Sequence, residues 1–119
     1  MSEARTRREG EAVTRDLTAF QQNILAILAD EPMYGLAIKR ELETYYDDDV
    51  NHGRLYPNLD DLVEMGLVEK SELDKRTNQY ALTDAGRETV LAQMEWMLDN
   101  YVTGSERRGE IEQLLDHVG

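Results

Sequence analysis

The chain has no cysteine. Disulfides, thiolate metal sites and thiol redox switches are therefore excluded. Lysine is almost as scarce, with Lys39, Lys70 and Lys75 as its three positions. No apolar run approaches the roughly 20 residues that span a bilayer as a helix. The N-terminus is charged rather than apolar, unlike a signal peptide. A cytoplasmic location without membrane contact is therefore expected. The two histidines, His52 and His117, lie in different segments and make a poor metal site. No metal or other cofactor is expected. No nucleophile–base set or phosphate loop stands out either, so an enzyme is not expected.

What the chain has in excess is acid. Its 119 residues carry 25 Asp and Glu against 13 Lys and Arg, a formal charge of −12. Nucleic-acid binders are usually basic, so this balance argues against that class. Two features soften the objection. The acids are spread along the chain, and the basic residues are mostly Arg. An acidic, lysine-poor surface suits hydration in a salt-rich cytoplasm, and points to a halophilic, archaeal source. At about 1 M salt the Debye length is only ~3 Å, so global repulsion from DNA fades and local contacts decide. A hydrophobic fraction of 40% indicates a folded chain of one-domain size.

Residues 1–16 mix Arg5, Arg7, Arg8 and Arg15 with acids and have little apolar content. They read as a solvated arm, or as an arm reaching DNA phosphates or a minor groove. Thr18 and Gln21 form a capping-box pattern. Phe20, Ile24, Ile27 and Leu28 follow at helical spacing, and Pro32 ends that helix. Tyr34 and Gly35 open a second helix, with Ile38, Leu42, Tyr45 and Tyr46 as its expected buried stripe. Asp47, Asp48 and Asp49 end it as a solvated loop. They lack the alternating ligands and terminal Glu of a calcium loop.

The stretch His52–Val68 organises the rest. Leu55, Leu59, Leu62 and Val63 fall on one helical face. Pro57 is read as a first-turn residue, which starts the helix just before it. Gly66 is the expected stop. Arg54, Asn58 and Asp61 are expected to point outward. Arg and Asn near a helix N-terminus are side chains that read guanine and adenine edges. Alone, the stretch fits a recognition helix or an ordinary core helix equally well.

Leu67–Leu73 and Gln79–Leu82 then read as two strands of a hairpin. Its tip is polar, with Lys75 and Arg76 side by side, then Thr77 and Asn78. Thr83 and Asp84 cap a long helix. Leu91, Met94, Leu98 and Tyr101 recur along it at three- and four-residue steps, with Val90, Met97 and Val102 beside them. That is the seam pattern of a helix that pairs with another. Trp96 lies off the seam and reads as interface packing rather than the wall of a ligand pocket. Gly104 and Ser105 break the helix. Ile111, Leu114, Leu115 and Val118 form a last short amphipathic helix.

Three helices, a hairpin with a basic tip and a long helix make a winged helix-turn-helix. In that arrangement the third helix enters the major groove and the wing touches the adjacent backbone. The expected fold is mainly α with a small β-hairpin. Residues 1–16 would be an arm, 17–82 the DNA-binding winged domain, and 83–119 dimerisation helices.

At this point the motifs resemble a family. Tyr34-Gly35-Leu36-Ala37-Ile38 is similar to a YGYEI-type opening of the second helix. Gly53-Arg54-Leu55-Tyr56-Pro57-Asn58-Leu59 resembles a G-x-LYP-x-L signature. Glu64-Met65-Gly66-Leu67-Val68-Glu69 resembles EKEGLIE, and Gln79–Arg87 resembles YYRLTEEGR. These are motifs of the PadR-like transcription regulators, in the right order over about residues 18–103. The resemblance implies a homodimer paired through C-terminal helices and bound to palindromic double-stranded promoter DNA. It carries Arg54, Tyr56 and Asn58 to the DNA, with Lys75, Arg76, Thr77 and Asn78 in the wing. It places Val90, Leu91, Met94, Leu98, Tyr101, Ile111 and Leu115 in the dimer. Two departures stand out. Asp60 and Asp61 replace residues that are often basic or neutral, and the wing lacks a longer basic run.

The expected function is a sequence-specific regulator in a high-salt cytoplasm, with an oxidative or other stress response as its setting. The effector is not readable. Without Cys, an oxidant response must be indirect or act through methionines such as Met94 and Met97. The competing reading is a winged-helix assembly module whose acidic surface meets a basic protein. Binding of a promoter-length duplex at high salt separates the two.

Overall fold

The structure is a computed structural model, and it describes residues 17–74 and 77–118. In chain order come α1 (Ala19–Ile27), β1 (Met33–Tyr34), α2 (Gly35–Tyr46), α3 (His52–Glu64), β2 (Val68–Asp74), β3 (Thr77–Leu82), α4 (Asp84–Tyr101) and α5 (Ser105–Val118). The arrangement is mainly helical with a wing. The wing is part of a three-stranded antiparallel sheet of order β1-β3-β2, one strand more than the hairpin expected from sequence. β1 pairs Met33 with Tyr80 and Tyr34 with Gln79. Two residues are too short to show a period, so no pattern announces this strand.

The core lies where α1, α2, α3 and the base of the wing meet. Phe20, Ile24, Leu25 and Leu28 of the α1 region pack with Ile38, Leu42, Leu55, Leu59 and Leu62, and Val68 and Tyr80 close the cluster. α1 begins with the capping box read from sequence. Thr18 Oγ1 accepts the Gln21 N–H, and Gln21 Oε1 accepts the Thr18 N–H, both at 3.1 Å. α2 ends at Asp47, which takes a left-handed conformation at φ 53°. Tyr45, expected in the buried stripe, is 71% exposed and sits edge-on to Tyr46. Only Tyr46 of the pair packs against the core.

α3 starts a turn earlier than Pro57 suggests. Asn51 caps it, its Oδ1 accepting the Arg54 N–H at 2.8 Å. Pro57 therefore lies inside the helix and withholds one ladder hydrogen bond. Just past it, Asn58 Nδ2 donates to the Arg54 carbonyl at 2.7 Å. The stop is at Gly66, with φ 79°. Gly66 N–H donates to Val63 O and Leu67 N–H to Leu62 O, both at 3.0 Å, a Schellman closure.

β2 and β3 run from Val68 paired with Leu82 to Asp74 paired with Thr77, with an irregularity between Glu72 and Asp74. Both strands extend one or two residues further toward the tip than the sequence pattern suggests. β2 is exposed beyond Val68, so the wing projects from the core. Thr83 joins wing to α4. Its hydroxyl donates to Gly66 O at 2.7 Å and accepts the Gly86 N–H at 3.0 Å.

α4 leaves the core after its first turns. The radius of gyration is 16.0 Å, against about 13 Å for a compact domain of this size. Leu91, Met94, Trp96, Met97, Leu98 and Tyr101 are all exposed large apolar residues. α5 folds back through Arg107, whose guanidinium donates to Tyr101 O and Thr103 Oγ1. It buries no residue of its own. No helix among the described residues is long and apolar enough to cross a membrane.

Candidate nucleic-acid interface

The start of α2, the first half of α3 and the start of β3 enclose a cleft of about 610 Å³. Tyr34, Gly35, Leu36, Ala37 and Arg40 line it from one side, His52 and Tyr56 from another, and Thr77 and Asn78 from the wing. β1 makes this possible. By pairing with β3, it brings the N-terminus of α2 against the wing strand. Gly35 then lets Tyr56 come close: a Cβ there would lie 2.8 Å from the Tyr56 hydroxyl oxygen. The His52 and Tyr56 rings touch, with centroids 5.4 Å apart.

Three of the residues picked from sequence, Tyr56, Thr77 and Asn78, thus meet at one cleft. Arg54 and Asn58 lie elsewhere, on the flank of α3 that faces α1. The Arg54 guanidinium sits 4.0 Å from the Phe20 ring centroid and 5.7 Å from that of Tyr46. A cation stacked on an aromatic face gains about 0.5–1 kcal/mol at an exposed site, and more when desolvated. Asn58 Oδ1 accepts from Gln21 Nε2 at 3.1 Å. Buried Gln21 therefore serves the α1 cap and α3 at once. Lys75, Arg76 and the arm at 1–16 lie outside the described residues.

With about 3.6 residues per turn, Gly53, Pro57, Asp60, Asp61 and Glu64 form the outer ridge of α3, opposite buried Leu55, Leu59 and Leu62. All five ridge residues are exposed. The ridge carries three carboxylates and no side-chain donor. Tyr80 reaches toward this helix from the wing. Its hydroxyl is pushed above the ordinary tyrosine pKa by burial first, then by the Asp60 and Tyr56 charges. A hydrogen bond with Asn78 pulls the other way. Tyr80 shares the buried core cluster with Leu55, Leu59 and Leu62, which joins the wing base to α3.

Sequence reasoning missed Tyr34, Leu36, Arg40 and His52 as cleft residues. Arg40 falls outside the buried stripe expected of the second helix, and His52 reads as a lone histidine. The usable signal was the Tyr34-Gly35 pair, since a residue without a side chain opposite Tyr56 marks a close approach.

The model of the transcriptional regulator PadR-like family matches residues 24–92, from α1 into α4. The chain belongs to that family. The hsRosR-S4 complex structure is 59% identical, covers 91% of this chain and 94% of its own, and has a TM-score of 0.87. RosR of Halobacterium salinarum, grown from NaBr, is 62% identical over 87% of this chain and 94% of its own, with a TM-score of 0.83. F93 from STIV, described as a winged-helix DNA-binding protein, shares the fold at 17% identity and a TM-score of 0.56, covering 71% of this chain and 90% of its own. No curated protein matches the chain. The PadR-like protein is thus a DNA-binding transcription regulator with a winged helix. Its acidic, lysine-poor composition fits a halophilic archaeal chain, as the similarity to the H. salinarum protein does.

Proposed function

We propose that the protein binds promoter DNA sequence-specifically as a homodimer. The observation that carries this reading is the single cleft joining α3 to the wing. Tyr56, Thr77 and Asn78 share it with Arg40 and His52. The first half of α3 enters the major groove, and the wing, with Lys75 and Arg76 at its tip, follows the adjacent backbone. Arg54 and Asn58 lie beside that contact on the helix.

Residues 17–82 form the DNA-binding unit and 83–119 the dimerisation unit. The second assignment rests on the apolar side of α4. Leu91 is 57% exposed and Met94 50% exposed, with Leu98 and Tyr101 on the same seam and Val90 at its inner end. Leu115 of α5 is 63% exposed and Ile111 is half-buried. Apolar patches of this kind mark interaction surfaces. The setting is an oxidative-stress response: Met97, exposed beside the seam rather than on it, is the thioether an oxidant would reach.

The experiment is a genome-wide map of bound sites in the source organism, with and without oxidative stress, followed by titration of an enriched duplex in molar KCl. Enrichment at promoters, changed by stress, is the expected result. A protein that enriches no DNA and captures a basic protein instead would replace this reading with an assembly module.

A further inference from the structure

We infer that Arg54 and Asn58 are positioning residues that fasten α3 to α1 and α2, and that base recognition by α3 falls to His52 and Tyr56 on its opposite flank. This deepens the DNA reading above and rests on it.

The outer ridge of α3 offers carboxylates from Asp60, Asp61 and Glu64, with Gly53 and Pro57 between the turns. Side-chain donors to purine edges must therefore come from a flank. On the α1 flank Asn58 is engaged at both ends of its amide, and Arg54 is held against a ring at one face of its guanidinium. Adenine recognition by Asn uses both its amide oxygen and its amide nitrogen. In Asn58 the oxygen accepts from Gln21, and the nitrogen donates to the Arg54 carbonyl. Gln21 cannot follow Asn58 outward, because it is buried and closes the cap of α1. The Arg54 guanidinium sits over the ring of Phe20, which is buried and itself stacked against Tyr46 at 6.1 Å between centroids. Tyr46 is held in turn by Asn23, whose Nδ2 donates to its hydroxyl at 2.9 Å. The network runs from α1 through the end of α2 to α3, and fixes the roll of α3 about its own axis.

The cleft flank is built differently. His52 and Tyr56 face the wing, and Tyr56 is seated over the bare backbone of Gly35. Histidine and tyrosine each offer a donor and an acceptor. Whatever roll the α1 flank imposes on α3 sets where these two groups stand.

The test selects duplexes from a random-sequence pool in molar KCl. Four proteins are compared: wild type, Arg54→Met, the double variant His52→Ala with Tyr56→Phe, and the triple variant. Met keeps an unbranched chain over the Phe20 ring and removes the guanidinium. Arg54→Met should lower affinity about tenfold. It should blur preference only at base pairs that the double variant no longer reads. Added to the double variant, it should cost less than about twofold more, because its effect passes through groups already removed. A loss that adds in full marks a merely structural role and overturns the inference. So does a base pair that the double variant still reads and Arg54→Met does not. Phe20→Leu, which removes the ring beneath Arg54 and leaves the DNA-facing side chains in place, provides the second variant and should blur the same base pairs. If wild type itself enriches no sequence, the DNA reading fails and takes this inference with it.

Discussion

Gly35 at the start of α2 and Tyr56 in α3 are in contact so close that a Cβ on Gly35 would lie 2.8 Å from the Tyr56 hydroxyl oxygen and 3.0 Å from the nearest ring carbon. Gly35 occupies the first helical position with no positive φ, so its backbone accepts Ala. Replacing Gly by Ala in a helix normally stabilises by roughly 0.5–1 kcal/mol. Here the methyl displaces Tyr56 into the cleft. Gly35→Ala should therefore leave thermal stability nearly unchanged while weakening specific duplex binding by about 1–3 kcal/mol. Unfolding curves and anisotropy titrations, run on the same preparation, separate the two effects.

Gly86 is the opposite case. A Cβ there would stand 2.2 Å from the Leu67 carbonyl oxygen and 2.6 Å from a Leu82 methyl carbon. That carbonyl already accepts the Thr83 N–H at 3.1 Å, so it belongs to the joint between wing and α4. Backbone cannot move aside as a tyrosine ring can. Gly86→Ala should destabilise by about 1–3 kcal/mol or more, as overpacking does. A melting temperature equal to wild type in molar KCl would show that α4 can slide away from Leu67.

These contrasts mark what the sequence could and could not reveal. Local chemistry was legible: the Thr18–Gln21 box, the Gly66 stop and the Leu55–Leu59–Leu62 stripe stand where pattern places them. The winged-helix order of elements was legible too. Misreadings began where tertiary structure overrides local preference. Pro57 suggests a helix start, yet Asn51 caps the helix a turn and a half before it. Tyr45 shares the helical period of the core but is exposed, edge-on to Tyr46. Arg54 and Asn58 sit at angles between the inner and outer faces of α3. Only the position of Phe20 and Gln21 on another helix shows which way their side chains turn.

The loop before α3 should respond to acid. Glu43 Oε2 lies 2.8 Å from Lys39 Nζ and accepts the Val50 N–H at 3.0 Å. The hydrogen bond from Lys39 first, and that from Val50 second, hold its carboxyl below the ordinary value of 4.5. Between the folded and unfolded pKa the unfolded chain binds more protons, so stability rises with pH across that interval. The contribution is complete above about pH 4.5 and is lost as pH falls through the folded value. Glu43→Gln should remove this part of the pH dependence. Thermal unfolding of both proteins from about pH 6 to about pH 3, at constant KCl, checks it through the slope, which should be shallower in the variant.

The proposed dimer predicts a specific failure. Leu91 and Leu98 lie two turns apart on the exposed seam of α4, and neither supports the winged core. Changing both to Asp places charge where partner side chains would pack, and should yield folded monomers by light scattering. A double variant that stays dimeric would move the interface to other residues.

Salt should act on this protein unlike on a basic one. DNA-binding proteins normally lose affinity as salt rises, because their Lys and Arg displace cations condensed on the phosphates. Few residues here can do that. Arg40 at the cleft and Lys75 and Arg76 at the wing tip are candidates, with the arginines of residues 1–16. Against them stand the exposed Asp60, Asp61 and Glu64 on the outer ridge of α3, and Asp47, Asp48 and Asp49 just before it. A ridge of carboxylates brought toward phosphate has to be compensated, and the cations in solution are the available charge. Cations held between the two surfaces offset those released elsewhere. Log affinity plotted against log KCl should therefore be shallow, or rise, at molar salt, well short of the slope of about −0.9 per phosphate neutralised. Asp60→Asn with Asp61→Asn should make the slope more negative, because fewer cations need to be retained. The measurement is an anisotropy titration of an enriched duplex across the molar KCl range, with circular dichroism at the lowest salt to establish that the chain is folded. A steep loss of affinity throughout, unaltered by the double substitution, would mean that ordinary counterion release governs binding and that the acidic ridge stays clear of the DNA.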